Sequence, residues 1–178
     1  MNKTRRKSAA KSIALVGIMA ATVECGKLVL APIPNVEVVT ILLALYGYVF
    51  GYLGVISAFV FVSIEPLIYG FGTWVVSYYL YWPLVAVTFS VLARLKVKNR
   101  FVITGVAILL TFFFGVLSSL VDVGLLSGNF DKFWYRFGVY YARGAVFYVV
   151  QMLCNAALFV FLFKFLSEKL SKIKQSFN

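Results

Sequence analysis

The chain has 178 residues, 62% of them hydrophobic and 18% aromatic, with 13% charged and a mean hydropathy of +0.94. A soluble domain carries about 45–50% apolar residues, so this composition excludes a soluble globular protein and points to a single-domain integral membrane helix bundle. The net charge of +11 does not point to nucleic acid, because most basic residues border apolar runs instead of forming a patch interleaved with exposed aromatics.

The chain opens with Lys3, Arg5, Arg6, Lys7 and Lys11 and no acid, then turns apolar at once. The first span is predicted over 12–31; it exceeds signal-peptide length and lacks a small-residue cleavage site, so it reads as a mature helix. Around its start Ala10, Ala14, Gly17 and Ala21 recur at i, i+4, i+7 and i+11, which lines four small side chains along one side. In a bilayer such a stripe lets another helix approach closely, either one of this chain or one of a partner. Pro32-Ile33-Pro34-Asn35 ends the span.

A second span is predicted over 36–50, capped by Asn35 with Glu37 close behind. Gly47, Gly51 and Gly54 then mark a tight, uncharged turn. The third span, 52–68, is expected to stop around Glu65-Pro66 and the Gly70-Phe71-Gly72 turn, since the residue before proline is pushed out of helical geometry. The fourth, 73–93, crowds Trp74, Tyr78, Tyr79, Tyr81 and Trp82 into its first half and closes on Arg94, Lys96, Lys98 and Arg100. The fifth covers 101–125, a loop is predicted over 126–137, and the sixth span, 138–166, leaves through Lys164, Lys169, Lys172 and Lys174.

Six spans place both termini on one side. The five basic residues of the N-terminus, the four after the fourth span and the four of the C-terminus all fall there, so the positive-inside rule makes that side cytoplasmic. Lys27, Lys132, Arg136 and Arg143 fall at or near the other side, at the depth of Glu24, Glu37, Glu65, Asp122 and Asp131.

No histidine is present, which removes the commonest general base and metal ligand. Ser118-Ser119 lacks a nucleophile elbow and reads as helix packing. Cys25 and Cys154 are too few and too deep in apolar sequence for a disulfide framework or a metal site. Without a Walker motif or glycine-rich phosphate loop, the chain is expected to be no enzyme and to hold no cofactor; any nucleotide hydrolysis must come from another chain.

Polar and aromatic residues instead converge at the outer ends of the spans. Glu24, Lys27, Asn35, Glu37, Glu65, Tyr69, Trp74, Tyr78, Tyr79 and Trp82 come from the first four spans and their loops. The sixth span adds a stripe of Tyr140, Arg143, Gly144, Phe147, Gln151 and Asn155. Gln151 and Asn155 fall near mid-span, where an amide must face the bundle interior or a cavity. From this set we expect a small-molecule pocket formed by Asn35, Glu37, Glu65, Tyr69, Trp74, Tyr78, Trp82, Arg143, Phe147, Gln151 and Asn155. An interfacial aromatic belt, a fixed ion-pair network and plain inter-helix hydrogen bonding are the structural alternatives.

The basic start, the small-residue stripe, six spans in so short a chain, the proline-containing first outer loop and the basic turn after the fourth span resemble the substrate-binding S components of energy-coupling factor (ECF) transporters. The resemblance covers essentially the whole chain. It implies a subunit of a bacterial plasma membrane that binds a vitamin or similar micronutrient from outside. A transmembrane T component and two cytoplasmic ATPases would be its partners, besides the lipid bilayer, and the docking residues would be Ala10, Ala14, Gly17 and Ala21. The runs Pro34 to Glu37, Ile68 to Trp74 and Tyr79 to Pro83 look like those of cobalamin-type S components. Pantothenate, folate and pyridoxine-type vitamins stay open, and Lys27 or Arg143 facing the cavity favours an anionic one. A structural membrane protein and a stand-alone carrier are the competing classes; a carrier usually shows matched halves, and no internal symmetry is evident.

Overall fold

The computed structural model describes residues 3–34, 36–127 and 131–177. The chain is 88% helical, and no strand occurs among the described residues. The helices are α1 (Lys3–Leu30), α2 (Val39–Phe50), α3 (Tyr52–Tyr69), α4 (Trp74–Arg94), α5 (Arg100–Ser127) and α6 (Phe133–Leu158); a π turn (Phe159–Phe163) then carries α6 into α7 (Lys164–Phe177). With α6, the π turn and α7 forming one continuous rod, five helices are long and apolar enough to cross a membrane, and α2 is a shorter sixth. The chain thus has the helices of a multi-pass membrane protein.

α2 departs most from the predicted spans. It begins at Val39 and has 12 residues, about 18 Å at the helical rise and well short of a hydrocarbon core of about 30 Å. With prolines at 32 and 34, residues 31–34 and 36–38 are non-helical. Ten of the 12 residues of α2 are buried, as expected of a helix that is apolar all round and sits in the middle of a bundle. It packs chiefly on α4, where Gly47 lies directly on the Ala86 backbone and a Cβ would collide with the Ala86 carbonyl. The turn into α3 uses Gly51 at φ 62°, a conformation that glycine adopts without steric strain.

α3 does not stop at Glu65-Pro66; it continues to Tyr69, and the Pro66 carbonyl accepts the Gly70 N–H at 3.0 Å. The bias of a pre-proline residue against helix is overridden here by packing that buries Glu65 and Pro66. α1 starts inside the basic segment, nine residues before the predicted span. The predicted loop over 126–137 shrinks, since α5 reaches Ser127 and α6 starts at Phe133.

The core lies between α2, α3, α4 and the π turn around Leu43, Phe61, Val85, Phe89 and Phe159. Phe159 and Phe163 stack at 5.3 Å and meet Phe89 at 5.4 and 5.5 Å. One end of the bundle gathers the C-termini of α2 and α4 with the start of α5 and α7: the Tyr48 hydroxyl donates to the Val97 carbonyl (2.8 Å), and Lys174 Nζ donates to the Val49 carbonyl (2.7 Å). The other end brings together Lys27 of α1, Glu37 before α2, Glu65 of α3 and the start of α4. We call these the basic end and the cavity end.

Candidate ligand-binding site

At the cavity end the organising group is the Glu37 carboxylate. Standing two residues before α2, it accepts the Thr40 backbone N–H on Oε2 (2.8 Å) and the Thr40 hydroxyl on Oε1 (2.5 Å). It therefore does at the α2 N-terminus what was expected of Asn35, which lies outside the described residues, and a negative charge is favourable at that helix end. Oε1 also accepts Asn155 Nδ2 at 2.8 Å and Gln151 Nε2 at 3.5 Å from α6. Asn155 Nδ2 further donates to Thr111 Oγ1 of α5 at 3.1 Å. α2 and α6 are thus fastened to one carboxylate, with α5 linked to it through Asn155, which is wholly buried.

Next to this knot lies a cavity of about 300 Å³ under the segment that joins α1 to α2. Ile33, Pro34 and Val36 cover it, Phe61, Tyr78, Trp82 and Phe114 form its aromatic wall, and Lys27, Glu37 and Gln151 supply its polar groups. The aromatic wall is self-supporting: Trp74 meets Tyr78 edge-on at 5.0 Å, Tyr78 meets Trp82 at 5.5 Å, and Trp82 meets Phe114 at 5.9 Å and Phe61 at 6.3 Å. Such contacts fix ring orientation and contribute about 0.5–1.5 kcal/mol each beyond burial. The Trp82 indole N–H is buried without a hydrogen-bond partner among the described residues. A buried N–H left unpaired costs about 1–3 kcal/mol, which a ligand acceptor would offset.

Lys27 at the rim is ion-paired with Glu65 and lies 4.2 Å from the centre of the Tyr69 ring. The Tyr69 hydroxyl donates to Glu24 Oε1 at 3.4 Å. Glu65 is 1% exposed against 25% for the Lys27 side chain, so the lysine carries the ion pair from the protein interior to the cavity wall.

No protein-family model matches the chain, and no curated protein or solved structure matches it significantly. The site is therefore read from its own geometry.

Of the expected pocket residues, Glu37, Tyr78, Trp82 and Gln151 line the cavity. Asn155 and Trp74 stand behind that lining, and Glu65 and Tyr69 act on it through Lys27. Arg143 and Phe147 are not part of it: both are exposed, and neither lines the cavity. Residues four apart on a helix step about 40° around the axis, so the stripe from 143 to 155 turns by about 120° and carries Arg143 off the face that Asn155 occupies. The four small residues Ala10, Ala14, Gly17 and Ala21 are all exposed; the buried face of α1 is Val16, Met19, Ala20, Val23 and Glu24. The stripe does not pack inside the chain.

The sequence reading passed over Thr40, Thr111 and Phe114. Thr111 was the most findable, as a polar residue in the apolar run of α5 that needs an interior partner. The set offers carboxylates, amides, an ammonium and aromatic rings, groups that can hydrogen-bond to, pair with and stack on a small molecule.

Proposed function

We propose that the chain is the vitamin-binding subunit, or S component, of an ATP-driven ECF-type importer in a bacterial plasma membrane. The observation that carries this reading is the covered aromatic cavity with a few oriented polar groups at the end of the bundle opposite the basic residues. By the positive-inside rule that cavity faces outward, where an importer must capture its ligand. The exposed small-residue stripe of α1 supports the second half of the reading. Nothing lies within 4 Å of a Cβ built on Gly17, so a helix of a T component has room to approach there.

The cavity volume also bears on the ligand. About 300 Å³ is the lower end of small-molecule sites, which run from roughly 300 to 1,000 Å³. A compact vitamin of the pantothenate or pyridoxine class fits that volume. A corrin exceeds it. Lys27 and the free indole N–H of Trp82 favour a ligand with an anionic or carbonyl acceptor.

The test is uptake of labelled vitamins into cells expressing the chain alone or with a T component and both ATPases. Uptake only with the full set, and only with ATP hydrolysis intact, supports a binding subunit. Equal uptake by the chain alone makes it a stand-alone carrier, and no uptake with either set favours a structural role.

A further inference from the structure

The basic end holds a second cavity, of about 490 Å³, which the binding of an outside nutrient does not use. It opens between the end of α2, the start of α5 and the π turn with α7. Its floor is apolar, formed by Ile103, Phe159 and Phe163, and its rim carries Lys98, Arg100, Lys164 and Lys172 against a single acid, Glu168. None of these five charged groups is ion-paired among the described residues.

Three of the uncharged donors around it are already committed. Tyr48 donates to the Val97 carbonyl (2.8 Å), Ser167 to the Lys164 carbonyl (2.8 Å) and Ser171 to the Ser167 carbonyl (2.7 Å). What is left to bind with is four cations and the Gln175 amide above an apolar floor. That combination selects for negative charge next to apolar bulk, and arginine and lysine both serve as phosphate partners. The π turn builds the floor: widening of the helix over Phe159–Phe163 brings the Phe159 and Phe163 rings into the stack that closes the cavity from below. Such π segments are often found at functional sites. The cavity sits where α5 and α7 meet the basic edge of the bundle, the level at which lipid phosphates lie.

We propose that this cavity binds a phosphate-bearing anion, with the phosphate among Lys98, Arg100, Lys164 and Lys172 and the apolar remainder over Phe159 and Phe163. The phosphate can arrive on an anionic phospholipid or free from the aqueous side, and one experiment separates the two. The full chain is released from micelles containing equal phosphatidylglycerol and phosphatidylcholine, and bound lipid is counted by native mass spectrometry, with and without millimolar inorganic phosphate. Phosphatidylglycerol is expected to be retained about tenfold over phosphatidylcholine. That preference should fall to near parity in Arg100→Gln/Lys164→Gln, rise in Glu168→Gln and stay unchanged in Lys132→Gln at the other end. Retention that survives added phosphate assigns the site to the lipid; displacement by phosphate assigns it to a free anion. Equal retention of the two lipids with no phosphate adduct overturns the proposal, as does a preference that Arg100→Gln/Lys164→Gln leaves intact.

Discussion

Asn155 Nδ2 lies 2.8 Å from Glu37 Oε1 and joins the last turn of α6 to the residues just before α2 across 118 residues of chain. The same amide nitrogen reaches Thr111 on α5, so one side chain ties together three of the elements that contribute to the cavity. We expect Asn155→Leu to lower stability by about 1–3 kcal/mol, because the half-buried Glu37 loses its best side-chain donor from α6. Ligand affinity should fall with it. A thermal melt in detergent, with and without ligand, reads both, and an unchanged melting temperature contradicts the role given to Asn155.

Lys27 and Glu65 make a pair whose lysine is partly exposed and whose carboxylate is not. Removing either partner alone leaves a buried charge poorly compensated; we expect a loss of roughly 2–3 kcal/mol, below that of a fully buried pair because water reaches Lys27. The double variant Lys27→Met/Glu65→Leu should recover much of it. A double-mutant cycle checks this, and strictly additive effects rule out the coupling.

Two glycines give opposite expectations for the same change. Gly47 rests on the Ala86 backbone, whereas Gly17 faces open space. Gly47→Ala should force α2 off α4 and cost about 1–3 kcal/mol or more. Gly17→Ala should leave the stability, read from denaturation in detergent, within about 0.5 kcal/mol of wild type.

Docking and binding separate on α1. Ala14→Leu fills the exposed stripe at the end of the molecule away from the cavity. It should abolish transport by the complete importer while leaving the affinity of the isolated chain unchanged. Parallel loss of transport and affinity would falsify the assignment of that stripe to partner docking.

The long apolar helices were legible because long runs of apolar residues can be read from composition and hydropathy directly, and Gln151 and Asn155 stood out because mid-span amides need partners. Three features were not. α2 looked like a full span because 36–50 is apolar apart from Glu37 and Thr40, and nothing in hydropathy distinguishes a helix buried in protein from one buried in lipid. Arg143 and Phe147 looked like pocket residues because i+4 spacing was extended over three turns, far enough for the face to rotate away. The π turn left no trace in a run of Phe-Val-Phe-Leu-Phe, since it depends on how Phe159 and Phe163 meet Phe89 across the bundle.

The central claim is that the cavity beside Glu37 binds a small nutrient without help from any partner. Native mass spectrometry of the detergent-purified chain, titrated with pantothenate, pyridoxine, folate and cobalamin, tests it most directly when run in parallel on Gln151→Ala and Trp82→Phe. The account predicts a one-to-one complex with one compact vitamin, weakened at least several fold in both variants by loss of a hydrogen bond of about 1 kcal/mol or more. A folded wild-type chain that binds none of the four, or a complex that both variants form as tightly, contradicts it.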